Sequence, residues 1–241
     1  MADSIVYGIN PVLELIRAER RKIEKVFILS GFRSPALKRI SNLLKQRDIE
    51  IKYVPREFLG NISRSSEHQG VVALVEPFEF VGYKYFIQNQ SDFERILIVN
   101  NVQDPHNLGA VIRSAYLFSF KGIIITKKNT VSITPAVIKA SAGASEYVWI
   151  AVEENLPQAI IDLKRANYRI ISLDVRGEID SRSLKVDGPL ALIVGGEDAG
   201  INDRLLSLSD YVVKIWISDN EFSLNLSVSA AIMMYQLSNK T

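Results

Sequence analysis

The chain has 241 residues and no cysteine, which excludes disulfides, thiolate metal sites and a cysteine nucleophile together. Its only histidines are His68 and His106, too few and too far apart in sequence for a His-rich metal site, so no metal is expected. No apolar run approaches the length of a bilayer span. The opening MADSIVYGIN has neither a basic start nor an apolar signal core, so the reading is a cytoplasmic protein with no membrane partner. Two nucleotide-binding signatures are missing as well. No G-x-G-x-x-G follows a strand-like run, and GGEDAG at 195–200 is followed by Ile201-Asn202 where a P-loop needs Lys and Ser or Thr. What remains is ordinary globular composition, 47% hydrophobic and 23% charged, enough for one large domain or two unequal ones.

A net charge of +2 hides an asymmetry. Residues 1–76 carry 13 basic against 9 acidic side chains, whereas residues 77–241 carry 16 against 18. A small basic module ahead of a near-neutral one suits a polyanion held by the first and processed by the second, although scatter in surface charge gives the same numbers. Within the module, Asn10-Pro11 and Ser34-Pro35 each read as a cap followed by Pro at the first helical position. Val12, Leu13, Leu15 and Ile16 then form one apolar face, and Leu37, Ile40, Leu43 and Leu44 another. Short apolar runs at 26–29, 49–53 and 71–75 read as strands, with a polar loop from Ser63 to Gly70. Residues 77–94 show no sustained period. They read as a linker whose aromatic residues dock onto one of the domains.

From Ile96 onward strands near 96–100, 122–126, 148–152, 168–174, 190–195 and 211–217 alternate with helices near 107–118, 134–145, 156–167, 202–209 and 223–238. Uninterrupted apolar strands with helical crossovers form a parallel sheet covered on both faces, and such sheets bind ligands at the carboxyl ends of their strands. Three loops fall there. The first, NVQDPHNLGAVIRSA at 101–115, has Asp104-Pro105 as its turn, Asn107 as a good N-cap and Arg113 six residues on; a cap needs only one of its polar groups. The second, GGEDAG, places Gly195 and Gly196 at a strand end with Glu197 beside them. The third, SDNEFSLNLSVS at 218–229, has more Ser and Asn than capping the last helix requires, and that helix is apolar on more than one side. A capped helix and a filled core are the plain alternatives for the first and third loops.

Together the loops resemble the SpoU (TrmH) class of RNA ribose 2′-O-methyltransferases. DPHNLGAVIRSA is similar to its first motif, LALIVGGEDAG to its second and IWISDNEFSLNLSVSAAI to its third, in order and at similar spacing. YGINPVLELI near the start and EHQGVVA at 67–73 are similar to the branch that methylates a guanosine of 23S rRNA. The resemblance implies an α/β protein: a SPOUT parallel sheet with a C-terminal trefoil knot over residues 95–241, and a small L30e-like RNA-binding domain over residues 1–76. A knot runs against the general rule for chain connections and is implied by the family alone. The resemblance further implies S-adenosylmethionine as cofactor, held by Gly195, Gly196, Ile215 and Leu224. It implies a homodimer through the knotted domain, which would cover the extra apolar side of the last helix. Arg113 is the implied central catalytic residue, as a base or as a stabiliser of phosphate and alkoxide, with Asn107, Glu197, Ser223 and Asn225 around it.

One departure stands out: Asp198 follows Glu197 where the family usually has glycine, and a Cβ and a negative charge at that position would bear on substrate entry and on the role of Glu197. Two other readings keep some of these features. One is a tRNA ribose methyltransferase with the same motifs, the other an RNA-binding ribosome-assembly protein with little catalysis. A hydrolase built on Ser223 and His106 lacks the nucleophile-elbow sequence.

Overall fold

In the computed structural model, which describes residues 4–196, 200–218 and 223–238, the apolar runs become the strands of two separate sheets. The chain forms two units, Met1–Glu79 with Ile133–Tyr147, and Phe80–Ser132 with Val148–Thr241.

The first unit contains β1 (Ser4–Tyr7), α1 (Ile9–Ala18), β2 (Ile23–Leu29), α2 (Pro35–Gln46), β3 (Ile51–Val54), α3 (Arg56–Ser63) and β4 (Val71–Val75). Its sheet runs β1-β4-β2-β3, with β4 antiparallel to both neighbours and β2 parallel to β3. The expected faces of both early helices are buried, Val12, Leu15 and Ile16 on α1 and Leu37, Ile40 and Leu44 on α2. Asn10 is not the cap of α1. The helix starts two residues earlier because Gly8, at φ 96°, turns the chain straight out of β1. Helix α3 escaped the sequence reading because Leu59 is its one buried side chain, too little for a visible period.

The helix expected over 134–145 is shorter. Thr134 caps Pro135–Ala140 by accepting from the Val137 amide, and a 3₁₀ turn follows at Ala144–Tyr147. Between them the chain reverses at Ala142 (φ 55°) and Gly143 (φ 90°). A Cβ on Gly143 would come within 2.8 Å of the Glu14 Cβ and 3.0 Å of the Pro11 Cα, so only glycine fits against α1. The reversal brings Glu146 to Arg21. Both are buried: Arg21 donates from Nε to Glu146 Oε2 at 3.0 Å, from Nη2 to Oε1, and from Nη1 to the Glu76 carbonyl at 3.2 Å. The Phe78 ring lies 5.5 Å from the Arg21 guanidinium.

His68 is buried and accepts from the Gly70 amide at Nδ1, 3.0 Å away. Burial, then the nearby Arg56 charge, lowers its pKa below the ordinary 6.5. A depressed histidine pKa means that the unfolded chain takes up the proton more readily, and protonated Nδ1 can no longer accept. The stabilisation is therefore complete above pH 6.5 and is lost as pH falls below it. Thermal melts should show a lower Tm at pH 5.5 than at pH 7.5, with the difference reduced in His68→Gln. Equal pH dependence in the two proteins would refute the assignment.

The second unit contains α4 (Lys84–Gln88), β5 (Arg95–Asn100), α5 (Pro105–Leu117) and β6 (Gly122–Thr126). With Pro135–Ala140 of the first unit counted as α6, it continues through β7 (Trp149–Glu153), α7 (Leu156–Arg165), β8 (Arg169–Leu173) and β9 (Ile179–Asp180). It ends with β10 (Leu190–Gly195), α8 (Asp203–Leu208), β11 (Tyr211–Lys214) and α9 (Leu226–Ser238). These strands form one sheet in the order β7-β6-β5-β10-β8-β11-β9, parallel at every pairing. Residues 80–94 are folded into this unit. Phe86 and Phe93 join a buried cluster with Ile96, Ile98 and Tyr168, and the Tyr83 hydroxyl donates to Asp162 at 2.7 Å. Burial first, and that bond second, push the Tyr83 pKa up to about 12. Among the described residues no helix is long and apolar enough to cross a membrane.

Candidate active site at the switch point of the parallel sheet

The chain leaves β5 toward β6 on one side of the sheet and leaves β10 toward β11 on the other. Adjacent parallel strands whose connections diverge open a crevice at their carboxyl ends, the usual ligand position in such sheets. Asn100 and Gly195 face each other there as the last register pair of β5 and β10.

The first and second loops meet through their backbones. The Gly196 amide donates to the Asn100 carbonyl at 2.8 Å, and the Gly200 amide to the Gly196 carbonyl at 3.0 Å. A Cβ on Gly196 would overlap the Asn101 carbonyl oxygen, and one on Gly195 would overlap Gly200. Both glycines are thus required by close approach of one chain segment to another. Gly196→Ala forces the loops apart. Its expected cost is about 1–3 kcal/mol in stability, the range for overpacking a filled site, with ligand binding at the crevice weakened as well. Urea unfolding and calorimetric titration with S-adenosylhomocysteine measure the two effects, and wild-type values in both would contradict this account.

Two threonines absent from the sequence reading hold the start of the first loop. Thr126 Oγ1 accepts from the Asn101 amide at 3.2 Å, Thr130 Oγ1 accepts from the Val102 amide at 3.3 Å, and the two hydroxyls are 2.5 Å apart. Asn101 itself sits at φ 57°. Asn100 is only 4% exposed, yet its Nδ2 has no hydrogen-bond partner among the described residues. A buried unpaired donor costs about 1–3 kcal/mol and marks a place where a ligand can bind.

Asp104, not Asn107, caps α5. Its Oδ1 accepts from the His106 amide at 2.9 Å with Pro105 in the first helical position, the favoured order of cap and proline. Asn107 is released for another contact. Its Oδ1 accepts from Asn225 Nδ2 at 3.2 Å, joining the first loop to the third across 118 residues. Asn225 also caps α9, its Oδ1 accepting from the Ser227 amide at 2.8 Å and the Ser227 hydroxyl at 2.6 Å. Arg113 is exposed on α5 and has no hydrogen-bond or ion-pair partner among the described residues. Ser223 and Leu224 are exposed next to Asn225, and Ile215, just past β11, is half-buried. Glu197 and Asp198 lie outside the described residues.

Strand β8 lies between β10 and β11, which sets Gly195 and Ile215 two strand spacings apart, about 10 Å. Asp174, just past the end of β8, was also missed in the sequence. Arg176 grips it with Nε at 2.8 Å and Nη2 at 2.9 Å, and reaches Asp203 and the Ile201 carbonyl on the far side of the second loop. The Arg176 hydrogen bonds keep the Asp174 carboxyl below the usual carboxylate range despite its burial. Among the described residues no group of three or more His, Asp or Glu side chains is placed to hold a metal ion.

This fold, with its loops gathered at one switch point, is that of the SPOUT methyltransferases. An AdoMet-bound rRNA methyltransferase from Sinorhizobium meliloti superposes with a TM-score of 0.79 at 22% identity, covering 97% of this chain and 86% of that one. The SpoU methyltransferase AviRb from Streptomyces viridochromogenes, in complex with AdoMet, gives 0.80 at 21% identity, over 97% and 88%. Residues 94–235 match the SpoU rRNA Methylase family and residues 5–81 the substrate-binding module of RNA 2′-O ribose methyltransferases, and the chain belongs to that SpoU family. It is 33% identical over 243 residues, all of this chain and 97% of the other, to a Staphylococcus haemolyticus protein whose name places it in the TrmH family of tRNA/rRNA methyltransferases.

Proposed function

We propose that this protein transfers a methyl group from S-adenosylmethionine to a ribose 2′-hydroxyl, that of a guanosine in 23S rRNA, acting as a cytoplasmic homodimer. The observation that carries the reading is the Asn107–Asn225 bond, which draws the first and third loops together at the sheet whose switch point holds Gly195 and Gly196. The residues present fit the cofactor. Asn100 offers a buried donor with no partner among the described residues, Gly195 and Gly196 let the two loops close at backbone distance beside it, and Ile215 and Leu224 supply apolar surface to the cofactor. When bound, S-adenosylmethionine supplies the methyl electrophile.

Arg113 clamps substrate phosphate and stabilises the 2′-oxygen as it loses its proton; a guanidinium donates hydrogen bonds and holds its own protons too tightly to serve well as a base. Asn107 and Asn225 orient the ribose, Ser223 bridges the cofactor and substrate loops, and Glu197 accepts from the substrate or holds Arg113. Residues 1–76, with their basic excess, grip the RNA, and residues 95–241 carry the chemistry within a knotted domain. The dimer reading draws on apolar side chains left in solvent on α5 and α9, Tyr116 and Leu117 on one and Val228 and Tyr235 on the other.

The deciding experiment is methyl transfer from labelled cofactor onto 23S rRNA, assembled large subunits and tRNA, with the modified nucleotide mapped. Labelling of a 23S guanosine ribose is expected. Labelling of tRNA alone replaces the substrate, and no cofactor binding by calorimetry makes the protein an RNA-binding module instead.

A further inference from the structure

Trp216 is 58% exposed, an unusual place for the largest apolar side chain, and it directly follows Ile215 at the carboxyl end of β11. Its neighbour is set by strand register. β9 pairs with β11 in parallel with Asp180 opposite Lys214, and the Ser181 amide continues the ladder to the Lys214 carbonyl at 2.9 Å. Arg182, in the turn that follows β9, then comes beside Trp216, two residues past the end of β11. Its guanidinium lies over the indole, 5.1 Å from the ring centroid.

Arg182 is locked in that pose. Its backbone amide donates to Asp180 Oδ1 at 2.9 Å, its Nε to the two Asp180 oxygens at 3.0 and 3.1 Å, and its Nη2 to Oδ2 at 2.5 Å. The same bonds hold the Asp180 carboxyl down at about 2. One face of the indole is therefore covered by a fixed cation while most of the residue stays in water. Lys214 and Lys185 are exposed nearby in the chain. A rigid aromatic plane backed by a guanidinium, with exposed lysines nearby in the chain, matches what an unpaired nucleobase and its phosphate require.

We infer that Trp216, backed by Arg182, is a stacking platform for an unpaired base of the RNA substrate, placed at the edge of the methyl-transfer crevice. The inference rests on the methyltransferase reading for its substrate class. The platform is a positioning element: it turns the target strand toward the crevice and takes no part in the chemical step. Stacking tolerates any base, so it favours a single-stranded or splayed-out target over a paired one.

Tryptophan emission tests this directly, because the chain has two tryptophans, Trp149 and Trp216. A short mixed-sequence single-stranded oligoribonucleotide should quench the wild-type emission. It should leave Trp216→Phe, which keeps only Trp149, unchanged. Polyphosphate, which has charge but no bases, and S-adenosylhomocysteine should not quench. Trp216→Ala should raise the KM for RNA by about 5- to 100-fold, the range of one lost base stack, with kcat changed little and Trp216→Phe retaining most of the affinity. Quenching by S-adenosylhomocysteine would assign the platform to the cofactor's adenine, and quenching by polyphosphate would reduce it to charge; either overturns the inference. So does filter-bound RNA that leaves emission unchanged. Failure of the parent protein to methylate any RNA would sink the methyltransferase reading, and the quenching and binding titrations would still decide the platform.

Discussion

Arg113→Lys should lose about 10²- to 10³-fold in the rate of methyl transfer, the usual cost of removing one donor aimed at developing negative charge. The conservative replacement is the informative one. Lysine keeps the charge but replaces a planar fork of donors with a point charge that cannot bind phosphate in a bidentate manner. Because Arg113 is exposed and has no hydrogen-bond or ion-pair partner among the described residues, its replacement should leave Tm and S-adenosylhomocysteine affinity at wild-type values. Single-turnover transfer of a labelled methyl group, with calorimetry as the control, measures both sides. Retention of wild-type transfer in Arg113→Lys would remove the residue from the mechanism. A matched loss of cofactor affinity would show that it holds the cofactor rather than the substrate.

Asn107 and Asp104 show how far the sequence alone could reach. The surplus of polar groups at 101–113 was visible, and so was the turn at Asp104-Pro105, because both are local. Which residue caps the helix was not. Asn and Asp cap about equally well, and the choice turned on Pro105 taking the first helical position. Strands β2 to β8, β10 and β11 are legible as short apolar or alternating runs, whereas β1 and the two-residue β9 are too short to stand out, and the strand order is not legible. That β10 inserts between β5 and β8 is a non-local fact, so the meeting of Asn100 with Gly195 left no trace in the sequence. Gly195 and Gly196 read as room for a ligand, whereas the structure gives them the nearer task of letting the loops cross at backbone distance. Thr126, Thr130, Asp174 and Arg182 left no trace in the sequence because each acts on a residue supplied by another loop or strand end, or by register. The polar loop expected over Ser63 to Gly70 is irregular from Arg64 onward, whereas Ser63 closes α3, a helix that shows no period in the sequence for want of buried side chains.

The Arg21–Glu146 pair lies beyond any sequence argument, with 125 residues between its partners, and its removal should have the largest effect on stability. Both side chains are almost wholly withdrawn from water, 4% and 1% exposed. Arg21→Ala or Glu146→Ala strands one charge in that interior, and the expected loss is about 3–5 kcal/mol, a large share of the roughly 5–15 kcal/mol that holds an ordinary domain together. The penalty comes from the abandoned charge, so removing both should restore most of it. Arg21→Met combined with Glu146→Leu keeps the volume apolar and should unfold in urea near the wild-type midpoint. The exposed Lys127–Glu154 pair, with both side chains 63% exposed, makes the contrast, and Lys127→Ala should not shift the midpoint measurably. If the double replacement is as unstable as either single one, the pair contributes more than its own neutralisation. Its bond to the Glu76 carbonyl and its contact with Phe78 would then be what fixes residues 133–147 to the N-terminal sheet unit, and Phe78→Ala in the double-replacement background should have no further effect.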